Sequence, residues 1–136
     1  MANNVKLGAA AANAEAGAIV ALCNTGYLRL YDGSQPATAD TAVSAQTLIA
    51  ELRFAATAMS GSPAAGVATF AAVTADSSAN ATGTPTWFRA LKSDGSTAVF
   101  DGTAGESGTD CIIDSVPIAE GGTVSVTAMT YTAHRG

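Results

Sequence analysis

The chain has 136 residues, of which 12% are charged and 48% hydrophobic, and a formal net charge of -5. That length suits one domain with its own core. The acidic balance lacks the basic stripe that nucleic-acid phosphates require, and no apolar run approaches the ~20 residues of a bilayer span, so neither nucleic acid nor membrane is an expected partner.

Alanine, threonine, serine and glycine supply most of the sequence. A surface of small uncharged residues offers little self-repulsion. It suits packing against copies of the chain or a larger partner, and equally a bland β-domain.

Residues up to about Gly8 read as an arm. From Ala9 to Cys23 the alanine content favours helix, with Ala16, Ile19, Val20 and Cys23 as a narrow apolar stripe. Asn24-Thr25-Gly26 is the expected stop, because Asn and Gly tolerate a left-handed cap. The same segment does not read as a signal peptide, since Asn13 and Glu15 interrupt its apolar stretch and Leu22 precedes the cysteine. Synthesis in the cytosol then keeps Cys23 and Cys111 reduced and buried, with one disulfide between them as the alternative.

After Gly26 the period changes from 3.6 to 2. Leu28 and Leu30 face one way, and Tyr27, Arg29 and Tyr31 the other, before a turn at Asp32 to Pro36 and a polar loop to Ala45. Thr47 to Phe54 alternates again, with Leu48, Ala50, Leu52 and Phe54 on one face and Ile49, Glu51 and Arg53 opposite. Helix competes there on propensity, but the strand pattern is favoured. Val67 to Ala75 reads as a strand of small residues. Thr86 to Leu91 and Thr97 to Phe100 form the best hairpin, joined through Ser93-Asp94-Gly95-Ser96, whose Asp-Gly supplies the positive φ such turns need. Asp101 to Gly108 reads as a Gly-rich loop, Cys111 to Asp114 as a short strand, and Thr123 to Tyr131 as a last strand with Val124, Val126 and Ala128 inward. The expected fold class is all-β: an antiparallel β-sandwich with a short N-terminal Ala-rich helix or arm. Residues 1–25 are the arm and helix, and residues 26–136 the sandwich domain.

The inventory argues against an enzyme. His134, the one histidine, lies close to the C-terminal residue, a poor place for a base that must hold its geometry. The Gly102 to Gly108 run lacks the Gly-Lys-Ser/Thr ending of a phosphate loop. Asp101, Glu106, Asp110 and Asp114 could offer oxygen ligands to calcium, but their spacing fits no recognised loop, and turn roles are favoured. Two lone cysteines without clustered histidines build no zinc site. No cofactor or metal is expected.

The aromatic and arginine residues carry the remaining information, because Trp, Tyr and Arg dominate binding energy at protein interfaces. Tyr27, Arg29 and Tyr31 share one strand face, and Trp87 and Arg89 share another; paired strands would merge them into one patch, and Arg53 is counted with them as an interface candidate. Trp87 is favoured as a core tryptophan, and Tyr27, Arg29 and Tyr31 as surface.

The blocks Asn24-Thr25-Gly26-Tyr27-Leu28-Arg29-Leu30-Tyr31-Asp32-Gly33, Gln35-Pro36-Ala37, Ala50-Glu51-Leu52-Arg53-Phe54 and Thr86-Trp87-Phe88-Arg89-Ala90-Leu91-Lys92-Ser93-Asp94-Gly95 resemble short virion-associated proteins from the structural gene clusters of tailed bacteriophages, and Ser125 to Thr132 fits their last strand. The resemblance runs from about Ala10 onward. It implies a capsid decoration or cement protein with a jelly-roll-like β-sandwich, assembled in the host cytoplasm, on the exterior of the virion head. The implied partners are the major capsid protein and copies of the chain itself, as a dimer or trimer. The alternatives are a tail, neck or baseplate component, and a carbohydrate-binding sandwich that uses Trp87, Tyr27 and Tyr31 as stacking platforms.

Overall fold

The computed structural model describes residues 4–133. It consists of one helix, α1 (Ala9–Ala21), followed by seven strands: β1 (Tyr27–Tyr31), β2 (Leu48–Arg53), β3 (Val67–Thr69), β4 (Trp87–Leu91), β5 (Ala98–Gly105), β6 (Cys111–Ile113) and β7 (Val126–Thr132). They form a single sheet in the order β2-β1-β4-β5-β6-β7-β3. The all-β expectation therefore holds at the level of a sheet-dominated fold. The sheet is mixed rather than purely antiparallel, because β5 and β6 run parallel through Ala104↔Cys111 and Gly105↔Ile112. The chain doubles back between them, and the Asp110 carboxylate pins the return by accepting from the Thr103 N–H and hydroxyl, both at 3.0 Å.

The predicted helix ends slightly early. Its cap is Leu22, and the left-handed residue is Thr25, at φ 55°, rather than Asn24 or Gly26. Gly26 serves another purpose: a Cβ there would lie 2.1 Å from the Leu91 carbonyl oxygen, so only glycine lets β1 approach β4. The buried stripe is Ala12, Ala16, Val20 and Cys23, each at zero exposure, while Ile19 is only half-buried. Burial of this stripe is complete because methyl-sized side chains let the helix lie close on β3 and β7. The Asn13 side chain fixes it there by accepting the Gly66 N–H at 2.8 Å.

All four phenylalanines join one aromatic chain through the core. Phe54 stacks on Phe70 at 5.1 Å, Phe70 meets Phe100 at 6.3 Å, and Phe100 meets Phe88 and Tyr131 edge-on at 5.5 and 5.2 Å. Gly102 makes room for this packing, since a Cβ on it would stand 2.6 Å from the Phe88 ring.

Three bulges account for most departures from the expected faces. On β2, Leu30 pairs with Ala50 but Tyr31 with Leu48, which leaves Ile49 as the extra residue. Ile49 is consequently fully buried, where simple alternation put it outside, and its carbonyl accepts the Asn80 N–H at 2.7 Å. On β7, Ile112 pairs with Ala128 but Ile113 with Val126. Thr127 is the extra residue there, so the inward set changes to Met129, Tyr131 and Ala133, and Ala128 is exposed. On β5, Ala90 pairs with Phe100 but Leu91 with Ala98, leaving Val99 extra. β5 also continues through Asp101–Gly105, which the glycine content had suggested was loop. β3 is shorter than expected, and the residues after it pair only as single bridges, Phe70 with Met59 and Thr74 with Arg53.

Both rims of the sheet are covered. Beyond β2, Asp76 accepts the Glu51 N–H at 2.9 Å, and Arg53 exchanges bonds with Thr74. Beyond β3, Ser60 donates its N–H to Thr69 at 2.8 Å, and Ala64 pairs with Val67. Covered rims suppress edge-to-edge association.

Candidate functional site

The sheet face opposite the main core brings the sequence-selected residues together. Arg29 pairs with Arg89 across β1 and β4, Glu51 lies outboard of Arg29 on β2, and Asp101 outboard of Arg89 on β5. One row across four strands thus reads Glu51, Arg29, Arg89, Asp101. Two like charges directly opposite each other destabilise a sheet, and here each has its own carboxylate on the far side. Arg29 Nε donates to Glu51 at 2.7 Å, and Arg89 donates through Nε and Nη2 to the two Asp101 oxygens at 2.8 and 2.9 Å.

The two pairs differ in depth. Arg89 and Asp101 have side chains 8% and 4% exposed, against 28% and 34% for Arg29 and Glu51. Burial works against the Arg29 charge, but the Glu51 hydrogen bond and charge, with Tyr31, hold its pKa above the ordinary value. For Arg89 the Asp101 hydrogen bond outweighs burial, and the charges of Asp101, Tyr31 and Asp40 push the same way. Both guanidiniums are fixed charges.

The next row holds Tyr31 opposite Trp87, their rings stacked at 4.6 Å and 15°. Trp87 is buried as favoured, yet on the outer face, where the Asp32 turn lies over it and takes its indole N–H at 3.0 Å. Tyr31 was expected at the surface and is buried; the ring of Trp87 and the turn after β1 cover it. The row on the other side holds Tyr27, with the Arg53 guanidinium 4.0 Å above its ring and donating to Thr25 and Gly26 carbonyls. Arg53 is exposed and Tyr27 half-buried. Of the six selected residues, then, Tyr27, Arg29 and Arg53 reach solvent appreciably, while Tyr31, Trp87 and Arg89 form the floor beneath them.

The polar loop after Pro36 arches over this face. Arg89 Nη2 donates to the Thr38 carbonyl at 3.4 Å, and Arg29 Nη2 to the Gly95 carbonyl at 3.1 Å, so the loop and the β4–β5 turn are both held by the arginine row. Between them is an open pocket of about 470 Å³, floored by Arg29, Tyr31 and Arg89 and walled by Asp40, Val43 and Thr97. Its wall residues offer carboxylate and hydroxyl oxygens, and its floor offers guanidinium donors. Such a pocket suits a polar side chain or main-chain carbonyl of a partner.

Sequence reasoning missed Asp101, Glu51 and Asp40. An unbulged hairpin would set Arg89 opposite Phe100, and only the extra Val99 moves Asp101 into place. The four carboxylates weighed for calcium are dispersed. Asp101 serves Arg89, Asp110 serves Thr103, Asp114 accepts the Ser115 N–H, and Glu106 accepts the Val116 N–H. Among the described residues no three His, Cys, Asp or Glu side chains gather to hold a metal ion. His134 lies outside the described residues. Cys23 and Cys111 are buried free thiols, not a disulfide, and burial pushes both up to about 12.

Comparison with protein-family models, with curated proteins and with solved structures finds no match to this chain.

Proposed function

We propose that the chain is a structural protein of a tailed-bacteriophage virion that binds the outside of the head and stabilises the major capsid protein shell. The observation that carries this reading is the Glu51–Arg29–Arg89–Asp101 row, a prealigned polar face in a chain otherwise poor in charge. Fixed arginines beside Tyr27 and Arg53 are the side chains that interfaces use as anchors, and holding them in place beforehand removes the cost of ordering them on binding. The resemblance of the blocks around Tyr27 to Gly33 and Trp87 to Gly95 supplies the identity of the partner. A shell offers many identical sites, so each contact can be small while the array holds firmly. Self-association as a dimer or trimer between shell proteins belongs to the same reading.

The reading also takes the sheet as a jelly-roll-like sandwich. Its support is that Phe54 and Phe70, beside opposite rims, stack on each other, and that Thr74 reaches Arg53. The carbohydrate alternative is less favoured, because Tyr31 and Trp87 are buried against each other and Arg53 lies over the Tyr27 ring.

The test is copy number and attachment. Purified heads freed of tails are expected to carry the chain at a number comparable to the major capsid protein. Recovery with the tails, at far fewer copies, would make it a tail, neck or baseplate component. Arg53→Glu and Asp40→Lys, both at exposed positions, should lower head occupancy in variants that keep the circular dichroism of the parent. Unchanged occupancy in both would remove this face from the interface.

A further inference from the structure

β6 is too short to fill the space between its neighbours. It pairs with β5 only at Ala104 and Gly105, and with β7 only as far as Met129. Before Cys111 the chain turns away, so Ala98–Thr103 of β5 and Thr130–Thr132 of β7 have no strand between them. A cleft of about 330 Å³ remains, lined by Phe100, Asp101, Asp110, Thr130, Tyr131 and Thr132.

Main-chain groups line this cleft. The Ala104 N–H donates to the Thr86 carbonyl, which makes Phe88↔Gly102 and Ala90↔Phe100 the bonded pairs of β4 and β5 and turns the N–H and C=O of Asp101 toward β7. The Asp101 side chain is only 4% exposed while the residue as a whole is half-buried, so what Asp101 shows to solvent is chiefly main chain. On β7, Phe70 N–H donates to Met129 and Ala133 N–H to Gly66, which turns Thr130 and Thr132 toward β5. The Thr130 N–H reaches the Asp110 carbonyl at 3.3 Å. The Thr130 carbonyl and both main-chain groups of Thr132 stand beyond the end of β6, facing Asp101.

The same chain has an unburied arm. Asn4–Gly8 are in neither helix nor strand, and Val5 is 73% exposed, the most exposed large apolar residue described. Leu7 packs on the chain's own core and anchors the arm's base. Asn4-Val5-Lys6-Leu7 alternates polar and apolar, as a strand with one covered face does. Among the described residues, Asn4–Gly8 do not line this cleft.

We propose that the β5–β7 cleft receives the N-terminal arm of a second copy of this chain, which enters as an extended strand in the line of β6. Strand addition takes its affinity from main-chain bonds and its register from alternate side chains. Val5 covers the Phe100 and Tyr131 rings, and Lys6, on the opposite face of the strand, meets Asp110. Asn4–Leu7 span about 13 Å when extended, enough to pass the ~13 Å of Ala98–Asp101. Exchange in both directions gives a closed dimer, and exchange in one direction a ring. The inference is independent of docking to a shell.

The experiment is disulfide trapping between full-length chains. Lys6→Cys and Thr132→Cys proteins are mixed under mild oxidation, with Lys6→Cys plus Thr127→Cys as the control, since Thr127 is exposed on β7 away from the cleft. The Lys6–Thr132 heterodimer should form at least about tenfold faster than the control, because docking raises the effective concentration of the two thiols. Equal rates would overturn the proposal. So would a Lys6→Cys/Thr132→Cys double variant that closes on itself as a monomer, which would assign the cleft to the chain's own arm. Thr132→Pro removes only an N–H that points away from β3; it should keep the circular dichroism of the parent and abolish self-association in sedimentation. Unaltered self-association in that folded variant would equally overturn it.

Discussion

Arg89 and Asp101 face each other across β4 and β5 with two hydrogen bonds at 2.8 and 2.9 Å, and both side chains are nearly closed to solvent. A buried pair of this kind is costly to break from one side, because the surviving charge loses its partner. Here the survivor would also stand directly opposite Arg29. Asp101→Asn should therefore destabilise the fold by about 3 kcal/mol, read as a lower urea midpoint at unchanged slope. Glu51→Gln, at the half-exposed end of the row, should cost about 1 kcal/mol or less. Equal losses would mean that depth does not govern the row.

Gly26 is held by a contact rather than by backbone angle. Gly26→Ala should cost about 2–3 kcal/mol, because the new methyl meets the Leu91 carbonyl and β1 must move away from β4. Gly8→Ala, where nothing lies within 4 Å, is the comparator and should stay within about 0.5 kcal/mol. Thermal unfolding of the two variants checks the difference.

The thiols offer a reading of global opening. With both cysteines pushed up to about 12 by burial, neither should react with a disulfide reagent at pH 8 in the folded protein, and both should react in urea. A thiol titrating within the mixing time of native protein would show that Cys23 or Cys111 is reached without unfolding.

The β4–β5 turn carries an acid-sensitive clasp. Asp94 accepts the N–H groups of Ser96 and Thr97 and the Thr97 hydroxyl, which lower its pKa from 3.8 to about 2, the hydroxyl bond contributing most. A depressed carboxyl pKa stabilises the folded form above the unfolded value, so the contribution is complete above pH 3.8, declines as pH falls toward 2 and is gone below it. Asp94→Asn should lower the melting temperature at pH 7 and make no difference at pH 1.5. In the parent the amide shifts of Ser96 and Thr97 should titrate together near pH 2; a midpoint near 4 would mean that the clasp is not formed.

Strands set by local alternation were legible. Leu28 and Leu30 inward on β1, and the Asp94-Gly95 hairpin joining β4 to β5, follow from periodicity and turn chemistry alone. What was not legible is where the alternation slips. Ile49, Val99 and Thr127 are ordinary β-branched residues, and nothing local distinguishes a bulge from a regular strand position. Each decides a face: Ile49 turns inward, Ala128 outward, and Asp101 moves opposite Arg89. The parallel β5–β6 pairing depends on Asp110 reaching back to Thr103, a contact without a spacing rule. Trp87 and Tyr31 were placed on the correct strands, but their cover is a turn that the sequence marks only as a turn.

Ala12 and Ala16, fully buried where α1 meets the sheet, set a clearance. A larger residue at either position would act as a shim, lifting one end of the helix off β3 and β7 and opening a seam along its length. The abundance of alanine, which as composition says almost nothing, is in this helix a dimension: it fixes how thick the molecule is.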